Sequence, residues 1–293
     1  MRVSSRAAVT ALLLPTLLLS GCMITHHKLP IPKPPILVQR LAPSDLVARL
    51  NKNWEAVDNM TAKVNIQASV LQPEKGQSND YPSVTGQIVM RKPESLRVVG
   101  RYIGVTAFDM ASDGKDFTLS IPTKSTAIKG SNTLKHKSAN PLENLRPKII
   151  FDALLVRGLA PDSEFMVSSE DITVEDAAKK HLFLVPEYIL SIMKRKPGTQ
   201  ELTPVRVVRF HRDDLRPYQQ DTYDDTGNIE TQVMYSDYRE FDTVSYPSTI
   251  LIKWPAGELQ LILTVEDVKQ NVKITDEQFK VKIPEGTPVR DLE

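Results

Sequence analysis

The chain holds a single cysteine, Cys22, and its neighbours make that thiol a candidate for covalent modification. Leu19-Ser20-Gly21-Cys22 matches the bacterial lipobox, where small residues before the cysteine admit a signal peptidase and the thiol receives a diacylglyceryl group. Arg2 and Arg6 precede an apolar stretch from Ala7 to Leu19, interrupted by Pro15. That length suits the hydrophobic region of an export signal and is too short to span a membrane. The plainer alternative, a buried cysteine in a cytosolic protein, sits poorly with a lone cysteine directly after such a signal. The expectation is cleavage before Cys22 and attachment to a membrane by acyl chains there, palmitate among them. Met23 follows where an aspartate directs inner-membrane retention in well-known systems, so the outer membrane, on its periplasmic side, is the expected address. With no second cysteine, no internal disulfide staples the fold.

Other side chains offer less chemistry. His26 and His27 lie in a proline-rich stretch, where adjacent histidines are ordinarily solvated rather than metal-bound. Asp213-Asp214 and Asp224-Asp225 carry enough charge for calcium, yet acids ahead of Gly227 are common turn formers. His136, His181 and His211 each stand alone. The sequence has no Gly-x-Ser-x-Gly elbow, no His-Glu-x-x-His helix, no phosphate-binding loop and no dinucleotide fingerprint. Enzyme function, a resident metal and a cofactor are therefore not expected. A net charge of +1 likewise gives no reason to expect nucleic acid. At 41% hydrophobic and 25% charged residues, the chain can bury a real core.

Three parts are expected: a signal peptide at 1–21, a lipidated tether at 22–43 and a folded domain at 44–293. Pro30, Pro32, Pro34, Pro35 and Pro43 make the tether a semi-rigid spacer. A helix is predicted from Ser44, which can cap it, to about Asn59, with Leu46, Val47, Leu50, Trp54 and Val57 on one face. From Thr61 the period becomes two, with Ala62, Val64, Ile66, Ala68 and Val70 facing one way. Further strands are predicted at Val84–Arg91, Ser95–Gly100, Val105–Ala111, Asp116–Ile121 and Thr126–Lys129. A second helix is predicted over Pro141–Val156, with Leu142, Leu145, Ile149 and Leu154 inward, and an acidic surface loop over Pro161–Ala178. Strands resume at His181–Val185, Tyr188–Met193, Val205–Phe210 and Glu230–Tyr238. Alternation through Ile250, Ile252 and Trp254, then back through Leu259 to Val265, gives the clearest hairpin, and a last strand is predicted through Phe279, Val281 and Ile283. The expected class is α+β: a single curved antiparallel sheet forming a half-open β-barrel covered by helices.

Several passages resemble the LolA/LolB superfamily of bacterial lipoprotein carriers and receptors. They are the opening helix and the strand through Val64 and Ile66, then Lys92-Pro93-Glu94-Ser95-Leu96-Arg97-Val98 with Tyr102-Ile103-Gly104 and Ser112-Asp113-Gly114. Pro141-Leu142-x-x-Leu145-Arg146 resembles a lid helix, and Ile274-Thr275-Asp276-x-x-Phe279 resembles a closing strand. The resemblance implies a non-catalytic envelope protein with a cavity between sheet and lid that shelters lipid or lipoprotein acyl chains. Val64, Ile66, Ile88, Met90, Val98, Leu119, Leu145 and Ile149 are the candidate cavity residues, although an apolar strand face is commonly plain core. Tyr102 and Ile103 are the candidate membrane-transfer loop, with a side chain folded back onto the sheet as the alternative. A module that uses the same fold to bind other envelope proteins, with no lipid cargo, is the second function class.

Overall fold

The computed structural model describes residues 39–133, 145–160, 162–176 and 181–292. Cys22, the predicted signal peptide, most of the predicted tether and the predicted helix start at Pro141 lie outside them. The chain divides into two compact units, and the larger one, Pro35–Ile172 with Val185–Glu293, holds both described α-helices and nearly all of the sheet.

Helix α1 spans Pro43–Glu55 and strand β1 spans Asn59–Gln72. Ala42 rather than Ser44 is the N-cap, and no side chain caps the helix. Pro43 occupies the first turn, where its missing N–H costs nothing. Leu46 and Leu50, one turn apart, are the buried face of α1. Asn59 opens β1 rather than ending the helix, and burial then alternates along the strand as the sequence period requires.

The next strands are β2 (Gln77–Asp80), β3 (Val84–Arg91), β4 (Ser95–Tyr102), β5 (Val105–Ser112), β6 (Asp116–Ile121) and β7 (Thr126–Ser131). After helix α2 (Pro147–Leu154) come β8 (Glu164–Asp176), β9 (His181–Arg195), β10 (Leu202–His211) and β11 (Pro217–Tyr223). Strands β12 (Ile229–Phe241), β13 (Val244–Trp254), β14 (Leu259–Gln270) and β15 (Val289–Leu292) complete the order. All belong to one 15-stranded sheet that runs β15-β7-β6-β5-β4-β3-β1-β14-β13-β12-β11-β10-β9-β8, with β2 paired to β1 off that path. Strand β1 sits near the middle because it pairs with β14 on one side and β3 on the other. Ile66 lies opposite Leu263 and Val64 opposite Val265, while Met60 faces Met90 on the other side. These apolar cross-strand pairs weld the first and last thirds of the chain into one core.

The structure corrects several expectations. The sheet is open, as the half-open expectation requires, with β15 and β8 ending the order unpaired with each other. It is not antiparallel throughout, however, since β15 runs parallel to β7. The described part of the second helix starts at Pro147, after non-helical Leu145 and extended Arg146, and stops at Leu154, before Val156. The predicted acidic loop is largely strand β8; its acids conceal the alternation because Glu164 is buried in an ion pair with Arg206. The strands predicted on either side of Pro186 are one, β9, and β11 escaped prediction. The C-terminal Asp276–Phe279 forms a 3-10 turn with a Thr275 capping box, and the last strand is β15 rather than the Phe279–Ile283 stretch. No helix among the described residues is long and apolar enough to cross a membrane.

Candidate functional site

Helix α2 is short but apolar nearly all round. Ile149, Ile150, Phe151, Ala153 and Leu154 are all buried, and the helix packs on β4, β5 and β13. Its C-terminal end is held by side chains from the sheet. Tyr246 on β13 donates its hydroxyl to the Leu154 carbonyl at 2.6 Å, and the Gln220 amide of β11 donates to the Asp152 carbonyl at 3.0 Å. These bonds satisfy carbonyls that a helix C-terminus leaves open. The chain after α2 is tied to α1, where Asn51 Oδ1 accepts from the Leu159 N–H at 2.7 Å. Val156 lies between the two anchors and packs against both hydrophobic clusters of the molecule.

A pocket of about 400 Å³ opens where the helices meet the sheet. Leu50 of α1, Val57, Leu154–Val156, Phe210 of β10 and Leu215 wall it, with Tyr235 and Tyr238 of β12 and Tyr246 of β13. Its size falls in the range of small-molecule sites, and its walls mix these apolar and phenolic side chains with Arg49, Asn53, Arg216, Thr243, Ser245 and Gln270. Strict alternation would send Tyr235 and Tyr238, three residues apart, to opposite faces. Between them Asp237 adopts φ +54°, a left-handed conformation, and both tyrosines line the pocket. Burial pushes the phenols of Tyr235, Tyr238 and Tyr246 well above the usual tyrosine range, so all three stay neutral hydroxyls at physiological pH. A larger hollow, about 720 Å³, lies between β5–β7 and the C-terminal residues. It is open and walled in part by Asp113, Asp116, Lys129, Lys280 and Asp291, which suits an acyl chain poorly.

The eight predicted cavity residues are brought together, but as packed core. Val64, Ile88, Met90 and Val98 are fully buried, Ile66 and Ile149 nearly so, and Leu119 and Leu145 pack against them half-buried. None of the eight is among the residues lining the 400 Å³ pocket. Packing on this face is close: a Cβ added at Gly86 would stand 2.6 Å from Ile66 Cδ1. The aspartate pairs form turns. Asp224 accepts from the Thr226 and Asn228 backbone N–H groups at 2.9 Å, and Asp214 accepts from the Arg216 N–H at 2.9 Å.

The predicted loop is the two-residue turn between β4 and β5, with Ile103 at φ +47° and Gly104 at φ +78°. Positive φ at both positions is the turn geometry that matches strand twist. Glycine meets that demand freely, whereas a β-branched side chain there is strained by about 1–2 kcal/mol. Ile103 is nevertheless 84% exposed, flanked by exposed Tyr102 and Val105. It does not fold back onto the sheet, so neither its conformation nor its burial helps the fold.

No family model and no curated protein matches the sequence. Among solved structures the chain is similar to a DUF1329 family protein from Desulfovibrio piger, at 15% identity over 80% of this chain and 95% of that one, with TM-score 0.53. It is also similar to a LolA superfamily protein from Nitrosomonas europaea at 12% identity, covering 83% of this chain and 99% of that one, with TM-score 0.49. A third is an outer membrane lipoprotein-sorting protein domain from Vibrio parahaemolyticus at 11% identity, covering 80% and 94%, with TM-score 0.46. The first match establishes a shared fold, and identities this low speak to fold alone.

Proposed function

We propose that the chain is an envelope lipoprotein that shelters the acyl chains of a lipid or lipoprotein for transport to, or insertion into, the outer membrane. The observation that carries this reading is the 400 Å³ pocket at the meeting of α1, α2 and the sheet, with Leu50, Val57, Leu154, Val156, Phe210 and Leu215 as its apolar part. Each methylene moved from water into such a site contributes about 0.8 kcal/mol, so even a short acyl segment gains several kcal/mol. On this reading the pocket is the mouth, and longer chains reach the face of Val64, Ile66, Ile88, Met90, Val98, Leu119, Leu145 and Ile149 when α2 lifts. The Tyr102-Ile103 turn is the part that enters the membrane at handover, which gives a use to an apolar tip the fold does not need. Residues 1–21 are removed, residues 22–43 tether the domain through lipid at Cys22, and residues 44–293 bind the cargo. The protein faces the periplasm from the outer membrane, without metal, cofactor or catalysis. Acyl lipids found by mass spectrometry in stoichiometric amount with the purified protein support this reading; a protein free of lipid in every preparation contradicts it.

A second reading is favoured by the close packing of the predicted cavity face. There the chain is a non-catalytic interaction module, and the exposed Tyr102, Ile103 and Val105 meet another envelope protein. Both readings share the anchor. Cys22→Ala is expected to leave the domain folded and move it out of the membrane fraction, because acyl chains supply the attachment. Firm retention of the variant in membranes would refute the anchor.

A further inference from the structure

The 400 Å³ pocket carries cations but no acid. Arg49 and Arg216 both line it, and no aspartate or glutamate is among its lining residues. Arg49 lies on α1 beside Leu50, is exposed, and has neither an ion pair nor a hydrogen bond among the described residues. Arg216, just before β11, sits over the Tyr238 ring at 5.1 Å. Its carboxylate partners, Asp214 at 3.8 Å and Glu240 at 3.7 Å, have side chains 40% and 62% exposed. Ion pairs this long and this wet contribute little, so an incoming anion can compete for the guanidinium. Leu50, Leu154, Phe210 and Leu215 are by contrast all buried. Accessible cations beside a buried apolar wall are what an anionic amphiphile requires.

We propose that the pocket selects an anionic phospholipid, with its acyl tail against Leu50, Leu154, Phe210 and Leu215 and its headgroup phosphate at Arg49 and Arg216. The proposal rests on the acyl-carrier reading and names the class of lipid carried. A guanidinium suits the role because its planar fork meets two phosphate oxygens at once, and it gives up hydration more readily than an ammonium. Asn53, one turn on from Arg49, and Ser245 of β13 are exposed lining residues that can donate to the remaining oxygens. A zwitterionic headgroup brings a cation of its own to the two arginines. With no lining acid to receive that cation, it gains less from the site.

The test uses phosphatidylcholine vesicles carrying the full chain and two lysolipid probes with the same diazirine-bearing tail, one a phosphatidylglycerol and one a phosphatidylcholine. Labelled peptides are identified by mass spectrometry. Wild type is expected to label around Leu154 and Phe210 more strongly with the glycerol probe, by roughly 2- to 30-fold, the worth of two part-exposed ion pairs. Arg49→Gln is expected to lose much of that preference, while choline labelling and the melting temperature hold. Lys63→Gln removes an equal charge from an exposed position of β1 outside the pocket and should keep the preference in full. Equal labelling of wild type by the two probes overturns the anionic site and leaves the carrier reading standing. So does a preference that survives Arg49→Gln or falls equally in Lys63→Gln. Failure of both probes to label the pocket of wild type overturns the carrier reading itself.

Discussion

Glu164→Ala is expected to destabilise the folded chain by about 3–5 kcal/mol, because it leaves a buried guanidinium without its counter-charge. Arg206 on β10 and Glu164 at the start of β8 are both almost wholly buried and meet at 3.1 Å. The same Arg206 Nη2 donates to the Gly158 carbonyl at 2.6 Å, and Glu164 Oε2 also accepts the Ala160 N–H at 2.9 Å. The pair therefore clamps the chain leaving α2 onto the sheet. Burial drags the Arg206 pKa down, and Glu164 is the first of the groups opposing that shift. Replacing both partners by apolar residues, as in Glu164→Leu with Arg206→Met, should cost far less, since no buried charge is then left behind. Urea unfolding of the single and double variants separates the two cases, and a single variant as stable as the double would be the contrary result.

Phe151→Ala is the second large effect, with an expected loss of about 3–5 kcal/mol. Phe151 is 1% exposed and is among the largest fully buried side chains in the molecule. It sits in the middle of an eight-residue helix that is too short to be stable on its own propensity. Removing the ring takes away both transfer energy and packing, and the α2 backbone is bonded to β11 and β13 and cannot readily collapse into the void. A denaturation midpoint shifted by an amount equivalent to less than 1 kcal/mol would mean that α2 is held by something other than its core face.

These two side chains were legible to different degrees. The buried face of α2 was partly visible, as Ile149 and Leu154 follow helical spacing, but the Glu164–Arg206 pair was not. Glu164 stands among acids, and an acid-rich stretch with exposed Phe165 and Val167 reads as a loop until its partner on β10 is known. Strands β3 and β6 were readable to the residue, and in β6 polar and apolar positions alternate. The hairpin at Pro255–Gly257 was readable for the same reason, although β13 and β14 run on beyond the predicted stretches. At the C-terminus the alternation of Phe279, Val281 and Ile283 misled, since those residues form a turn and extended chain outside any ladder.

Among the candidate site residues, Ile103 was legible because glycines at 100 and 104 bracket it, and the structure adds the strained, exposed conformation. The face of Val64, Ile66, Ile88 and Met90 was legible as apolar; which apolar face is left unfilled was not. That depends on packing between distant segments, and the pocket draws on α1, α2 and strands β10, β12 and β13. Tyr235 and Tyr238 could not be assigned to one wall from alternation, because the left-handed turn at Asp237 breaks the period between them.

The central claim is that the domain takes up acyl chains and hands them to a membrane through the Ile103 turn. A single assay addresses both halves: uptake of a fluorescent fatty-acyl probe, followed by its transfer to liposomes, for wild type and Ile103→Asp. Wild type should bind the probe and release it to liposomes. Ile103→Asp should bind it as well as wild type, since Ile103 lies outside the pocket, and transfer it several-fold more slowly, because a carboxylate resists entry into the bilayer by about 2.5–3.5 kcal/mol at full depth. A wild-type protein that takes up no acyl probe, or an Ile103→Asp protein that transfers as fast as wild type, would contradict the account.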